Sequence, residues 1–144
     1  MRVHGFDHVS LPTHDVERLI AFYKRLGFPT IYEDEWRAGT SRLIAIQVDE
    51  HVKINVHPPQ LWQNPKFTLK GPTAQPGCGD LCFAFPGTIA EAEALLREAG
   101  CEITFGPVDQ RGGADAGQRQ GTSIYTRDPD GNLLEFMTYP AATA

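Results

Sequence analysis

The pattern of hydrophobic and polar residues in the first half of the chain predicts one strand, one helix and three further strands. Residues 4–11 alternate as a strand does, and apolar residues recur at helical spacing over 16–26, after a cap at Thr13 or Asp15. Gly27 is typical of the residue that ends such a helix. Short β-branched segments follow at 30–32, 41–49 and 51–57.

The second half repeats this order. Residues 79–85 read as a strand, and residues 88–100 read as a helix with Thr88 and Glu91 as a capping box and Gly100 as its stop. Three strands then follow, at 101–108, 121–128 and 133–139. The last two flank "DPDGN", a strong hairpin turn. We therefore predict an α+β fold of two tandem βαβββ modules, with cupped mixed sheets and the helices outside.

The predicted organisation is a single domain, 1–144, with module 1 at about 4–57 and module 2 at about 80–139. The connecting segment 58–79 is rich in Pro, Gly and Gln and is long for a compact domain. It is either a plain linker or an excursion that shapes a pocket. The loop 109–121 carries four glycines and is predicted to be mobile, as a lid is.

Composition narrows the class of protein. The chain has 144 residues, a net charge of −5 and no basic run, which argues against nucleic-acid binding because phosphate contacts need clustered Lys and Arg. No apolar stretch approaches the roughly 20 residues that span a bilayer, and the N-terminus lacks the apolar core of a signal peptide. Three cysteines fit free thiols in a reducing compartment, so we expect a cytoplasmic protein.

Four strands each place one ionisable residue on the face that does not meet the helix. Alternation assigns His8, His57, Asp80 and Glu135 to that face, on the first and last strand of each module. Burying an unpaired carboxylate costs roughly several kcal/mol. Either this face is exposed to water, or the four groups converge on a partner that balances their charge. A divalent metal is the economical choice, since two imidazoles with one or two carboxylates bind Ni, Zn, Mn or Fe.

The motifs resemble the vicinal oxygen chelate superfamily, which contains glyoxalase I, the fosfomycin and bleomycin resistance proteins and the extradiol dioxygenases. The resemblance covers nearly the whole chain and is most specific in "DPDGNLLE" and in the opening histidine followed by "FYKRLGF". The sequence is most similar to the branch of glyoxalase domain-containing protein 5 and the virulence-type glyoxalase proteins. The resemblance implies a metal-dependent, glyoxalase-type lyase or isomerase that chelates adjacent oxygens of a small substrate.

Carried over position by position, the resemblance makes His8, His57 and Glu135 metal ligands, with Asp80 where the family commonly has a histidine. Glu135 or Asp80 would act as the catalytic base. Bacterial glyoxalase I has an arginine and an asparagine that hold glutathione, and this chain has Pro12 and Leu61 at those positions. The expected substrate is therefore a small molecule with vicinal oxygens, without the usual glutathione clamps.

Two alternatives stay open. Two histidines and a glutamate also suit an Fe(II) dioxygenase of the extradiol type, although no clear acid–base helper for ring cleavage is present. A metal-free protein that binds a small molecule, as bleomycin resistance proteins do, is the other. In each case the open sheets lead us to expect a homodimer with no nucleic-acid or membrane partner.

Overall fold

The structure, a computed structural model, describes residues 1–140, and the chain divides into two compact units. Unit 1 spans Met1–Cys78 and unit 2 begins at Gly79. Each unit contains the predicted βαβββ order and one four-stranded mixed sheet, so the α+β fold of two modules is confirmed. None of the helices in the described part of the chain is long and apolar enough to cross a membrane.

Unit 1 has its strands in the order β1-β4-β3-β2, with β1 and β4 parallel and the other pairs antiparallel. Asp15 is the N-cap of the long helix, because its side chain accepts a hydrogen bond from the Arg18 backbone N–H. Two short helices, α2 and α3, were not predicted. The elements are β1 His8–Pro12, α1 Val16–Arg25, β2 Thr30–Ile31, α2 Glu33–Arg37, β3 Ile44–Gln47, β4 Lys53–His57 and α3 Pro59–Trp62.

The connecting segment is held against unit 1 rather than being a free tether. The Trp62 indole N–H donates to the Thr13 carbonyl at 2.8 Å, and the Lys70 ammonium donates to the Trp62 carbonyl at 2.6 Å. The Phe67 ring meets the His57 imidazole edge to face at 5.4 Å between centroids. Of the two interpretations left open, an excursion that shapes the surface around His57 is the one the structure supports.

Unit 2 repeats the topology with the order β5-β8-β7-β6, in which β5 and β8 are parallel. The predicted capping box at Thr88 and Glu91 is present and starts the long helix. Fully buried Leu96, Ile124 and Leu134 form part of the core between this helix and the sheet. The elements are β5 Asp80–Ala84, α4 Ile89–Glu98, β6 Phe105–Arg111, α5 Ala114–Gly117, β7 Gln120–Arg127 and β8 Leu133–Thr138.

The second strand of unit 2, β6, differs from its prediction. It begins at Phe105 rather than at residue 101 and continues to Arg111, with a register shift between Phe105 and Val108. Gly106 lies in this irregular stretch at φ +94°, and a Cβ there would lie 2.6 Å from the Ser123 carbonyl oxygen. Of the glycine-rich stretch 109–121 that was predicted as a loop, residues 109–111 and 120–121 are paired strand, and residues 112–119 connect the two strands.

Candidate functional site

The predicted faces of the strands are observed in both units. In β8 the side chains of Leu134 and Phe136 are buried, while Glu135 between them points to the other face and is half-buried. Cys82 on the neighbouring strand β5 lies directly opposite Glu135 in the register. The site in unit 2 is therefore built on a rigid pair of parallel strands, with Glu135 on the open face.

Two side-chain donors converge on one oxygen of the Glu135 carboxylate. The buried Ser123 hydroxyl donates to Oε2 at 2.6 Å, and the Gln110 amide donates to the same oxygen. The Gln110 amide also donates to the Tyr125 phenol oxygen at 2.8 Å. Glu135 is thus held from β6 and β7 at once by two hydrogen bonds to Oε2, and the Cys82 thiol and the Tyr125 hydroxyl also interact with its carboxylate.

The groups around Glu135 are kept uncharged by their surroundings. Burial, reinforced by the Glu135 carboxylate, raises the pKa of the Cys82 thiol to about 12, so this thiol is protonated at neutral pH. Burial also raises the pKa of Tyr125, and Glu135 adds to that shift although the hydrogen bond from Gln110 opposes it. The local chemistry is a carboxylate among neutral hydrogen-bonding groups.

Glu135 forms part of the lining of a cleft of about 450 Å³ in unit 2. Its lining combines polar side chains, such as Glu135 and Gln110, with the apolar Met137 and the Tyr139 ring. A Cβ at Gly112 would overlap the Tyr139 hydroxyl, so the absence of a side chain there lets the backbone lie against this ring. The lining residues are Cys82, Ala84, Gln110, Arg111, Gly112, Gly113, Glu135, Met137 and Tyr139.

Asp80 lies on the same face of the sheet, two positions before Cys82. It is the first residue of the edge strand β5, is exposed, and pairs in register with Leu133. This offset places its Cα about 8 Å from that of Glu135, given the usual spacing within and between strands. The two carboxylates are diagonal neighbours on adjacent strands, close enough to face the same small ligand.

His8 occupies the corresponding position in unit 1, on the edge strand β1. Its Nδ1 donates to the Asp7 carboxylate at 2.6 Å, and this hydrogen bond is the main cause of the lowered pKa of Asp7. This hydrogen bond places a proton on Nδ1 and leaves Nε2 as the ring nitrogen that a metal ion would bind. Lys53 stands opposite His8 in the register.

His57 lies at the far end of the same strand pair. It pairs in register with Pro12, four residues beyond His8, which separates the two histidines by about 13 Å along the strands. Two imidazoles on one ion need their ligand nitrogens about 4 Å apart or closer. Burial and the nearby Lys70 ammonium lower the pKa of His57, so its ring is neutral, but unit 1 does not bring it together with His8.

The register of the two modules instead makes Asn55 the counterpart of Glu135. Ser10 pairs with Asn55 as Cys82 pairs with Glu135. Asn55 and Glu135 are each the third residue of their strand. The buried Oδ1 of Asn55 has no hydrogen-bond partner within the described residues. A buried amide oxygen without a donor costs about 1–3 kcal/mol, which marks it as a position that a bound cation or donor would satisfy.

The predicted metal-binding residues are thus divided between the units, His8 and His57 in unit 1 and Asp80 and Glu135 in unit 2. Within residues 1–140, no three His, Cys, Asp or Glu side chains form a cluster that could hold a metal ion. The residue types still suit a divalent ion, since His8 offers a lone pair, Asn55 an unpartnered oxygen and Glu135 an anchored carboxylate.

Gln110, Ser123 and Asn55 were not predicted as site residues. Gln110 was missed because the second strand of unit 2 was predicted to end at residue 108. A signal for Ser123 existed: counting back from the hairpin turn pairs Tyr125 with Glu135, which puts Ser123 on the same face of β7. For Asn55, aligning the two modules strand by strand would have paired it with Glu135.

Comparison with known proteins agrees with this architecture. The family model for the glyoxalase/bleomycin resistance protein/dioxygenase superfamily matches residues 5–136. The chain therefore belongs to this superfamily, the vicinal oxygen chelate proteins.

Its relatives have the branch names that the sequence suggested. The chain is 34% identical over 142 residues to glyoxalase domain-containing protein RDO1 of Mycosarcoma maydis, covering 99% of this chain and 72% of that protein. It is 34% identical over 140 residues to virulence protein STM3117 of Salmonella typhimurium, covering 96% and 87%. The crystal structure of STM3117 aligns with a TM-score of 0.79 at 32% identity, covering 97% of this chain and all of that one (100%).

Proposed function

We propose that this protein is a divalent-metal-dependent, glyoxalase-like lyase or isomerase that acts on a small substrate with vicinal oxygens through an enolate-type intermediate. Membership of the superfamily supports this class of chemistry. The observation that carries the proposal is Glu135, a carboxylate held by Ser123 and Gln110 on the floor of a cleft of about 450 Å³. Such a fixed carboxylate suits both cation binding and proton abstraction.

The proposed ligands are His8 and Asn55 from a unit 1, with Glu135 and Asp80 from a unit 2. His57, which the sequence analysis assigned as a ligand, stays a prediction beside Asn55. Asn55 is favoured because its amide oxygen lacks a partner and because the strand register equates it with Glu135. The set requires one unit of each kind, from one chain or from two chains of a homodimer.

A bound divalent ion would act as a Lewis acid that polarises the substrate oxygens and acidifies the adjacent C–H. The residues of the chain would do the rest. Glu135 through Oε1, or Asp80, takes the proton next to the carbonyl and returns it to the neighbouring carbon. The Cys82 thiol, kept neutral by the raised pKa, does not compete for that proton. Met137 and Tyr139 supply apolar contact surface for the substrate in the same cleft.

Metal content and affinity test the proposal. Protein purified without chelator is analysed for metals, stripped, and titrated with Ni²⁺, Zn²⁺, Mn²⁺ and Fe²⁺ by calorimetry. We expect His8→Ala and Glu135→Ala to weaken binding at least tenfold. His51→Ala is the matched control, because this imidazole is exposed in a turn and 4.0 Å from Glu50. Wild-type protein that neither contains nor takes up metal would refute the proposal.

The same titration distinguishes Asn55 from His57 as the metal ligand of unit 1. Asn55→Leu removes the amide from the predicted face, and His57→Leu removes the imidazole beside Phe67. We expect the first substitution to weaken metal binding and the second to leave it within about twofold. The reverse result would restore the ligand set predicted from the sequence.

The remaining possibilities are outcomes of defined assays. Oxygen consumption with catechols and Fe²⁺ would identify an extradiol-type dioxygenase, and tight ligand binding unaffected by chelator would identify a metal-free binding protein. The homodimer is tested by light scattering and by mixing His8→Ala with Glu135→Ala chains. If ligands come from two chains, the mixture regains metal binding at one intact site that neither variant has alone.

A further inference from the structure

Ser123 and Gln110 both donate to the Glu135 carboxylate, and the proposed function does not by itself explain why. We propose that Gln110 and Ser123 are positioning residues that hold the Glu135 carboxylate by Oε2 and so present Oε1 to the cleft as a single-oxygen ligand or base. This inference rests on the proposed function for what Oε1 contacts, but not for the hydrogen-bond arrangement.

The arrangement is selective for one carboxylate oxygen. Ser123 donates at 2.6 Å and Gln110 donates to the same Oε2, so the hydrogen bonds from both of these residues are made to one atom. A carboxylate with one oxygen doubly hydrogen-bonded binds a cation most readily through the other oxygen. The structure therefore favours monodentate over bidentate binding by Glu135.

The donors are themselves fixed. Ser123 is fully buried in the middle strand β7, where its rotation is limited by packing. The amide of Gln110 is oriented by its second N–H, which donates to the Tyr125 phenol oxygen at 2.8 Å. With both N–H groups used, the amide cannot flip without losing two hydrogen bonds. Glu135 is thus restrained from two strands other than its own.

The corresponding place in unit 1 shows that this support is not a general feature of the module. Asn55 occupies the position of Glu135, yet its cross-strand neighbour on β3 is Ala45, where Glu135 has Tyr125. Neither Ala45 nor Leu43, which stands two residues before Ala45 as Ser123 stands two before Tyr125, offers a side-chain donor. Asn55 Oδ1 has no partner within the described residues. The donors on β6 and β7 are therefore particular to the module that carries the carboxylate.

The test compares Ser123→Ala, Gln110→Leu and the double variant with a matched control on the same strand. Thr122→Val is that control, since the Thr122 hydroxyl donates to Asp109 and not to Glu135. Crystal structures of the metal-free proteins report the position of the Glu135 carboxylate. Titration with Mn²⁺ reports the dissociation constant of the metal ion that this carboxylate is proposed to bind. Each substitution is similar in size to the residue it replaces, so the single variants are expected to fold.

We expect the Glu135 carboxylate to leave its observed position or to occupy more than one rotamer in the double variant. The Mn²⁺ dissociation constant should rise about 10–100-fold, while Thr122→Val changes it less than about twofold. A carboxylate that stays in place in the double variant overturns the inference, whatever the affinity does. A displaced carboxylate in a protein whose wild type binds no metal would sustain the positioning role and refute the proposed function.

Discussion

Replacing Asn132 with alanine should destabilise unit 2 more than any comparable substitution on its surface. Asn132 is fully buried at the end of the "DPDGN" turn. Its side-chain Oδ1 accepts from the Gly79 backbone N–H at 2.7 Å, and its Nδ2 donates to the Asp128 carboxylate at 2.7 Å. One side chain therefore fastens the start of β5 to the hairpin that leads into Glu135.

The size of the loss follows from these two hydrogen bonds. The Gly79 N–H is part-buried, so leaving it without its acceptor costs about 1–2 kcal/mol, and a hydrogen bond to a charged carboxylate contributes about 1.5–3 kcal/mol. Asn132→Ala should therefore lower the free energy of unfolding by about 3–5 kcal/mol. That is a large share of the roughly 5–15 kcal/mol typical of a folded domain.

Urea unfolding monitored by circular dichroism measures this loss. Asn64→Ala is the matched control, because its side chain accepts one exposed hydrogen bond, from the Lys66 backbone N–H, and should cost less than about 1 kcal/mol. Asn132→Asp keeps an acceptor for Gly79 but brings a second carboxylate against Asp128, so it should also be strongly destabilising. A loss for Asn132→Ala no larger than that of the control would refute the reasoning.

Three further predictions concern single side chains. Because the pKa of Cys82 is raised from 9.0 to about 12, its thiolate fraction at pH 8 is about 1,000-fold below that of an ordinary thiol. Cys78 and Cys82 are both exposed, so iodoacetamide should label Cys82 far more slowly than Cys78 because of this pKa shift and not because of access. Glu135→Gln should speed the labelling of Cys82, and equal rates in the wild type would contradict the shift. Trp62→Phe removes the indole donor that fastens the connecting segment and should cost about 1 kcal/mol in urea unfolding, whereas an unchanged midpoint would mean that the segment is held by other contacts. Burial lowers the pKa of His57 below 6.5, so its NMR titration in chelator should have a midpoint under that value. As the pH falls, the unfolded chain therefore protonates His57 before the folded chain does, and the contribution of His57 to stability is lost below about pH 6.5. A midpoint at or above 6.5 would contradict this.

Local patterns were sufficient for the elements and their order. Helix α4 begins at Thr88 because the capping box satisfies the first free N–H groups, and this depends only on residues three apart. The faces of β5 and β8 follow from period-two alternation, which put Leu134 in the core and Glu135 on the open side. The repeat of βαβββ was visible for the same reason.

Local patterns failed where pairing between distant strands decides the outcome. Strand β6 reaches Arg111 because Gln110 and Arg111 pair with residues at the start of β7, although this stretch is rich in glycine. Propensity predicted a loop there, and the ladder of hydrogen bonds overrode it. The same error concealed Gln110.

The sequence by itself determined which face each strand residue occupies: His8, Asp80 and Glu135 are on the open faces because alternation along a strand is a local property. Only the tertiary structure decided which of them are neighbours. Register depends on how separate strands slide past one another, and it moves His57 about 13 Å from His8 while bringing Ser123 and Gln110 onto Glu135. That contact between strands far apart in the chain follows from the packing of the whole sheet, and no single segment encodes it.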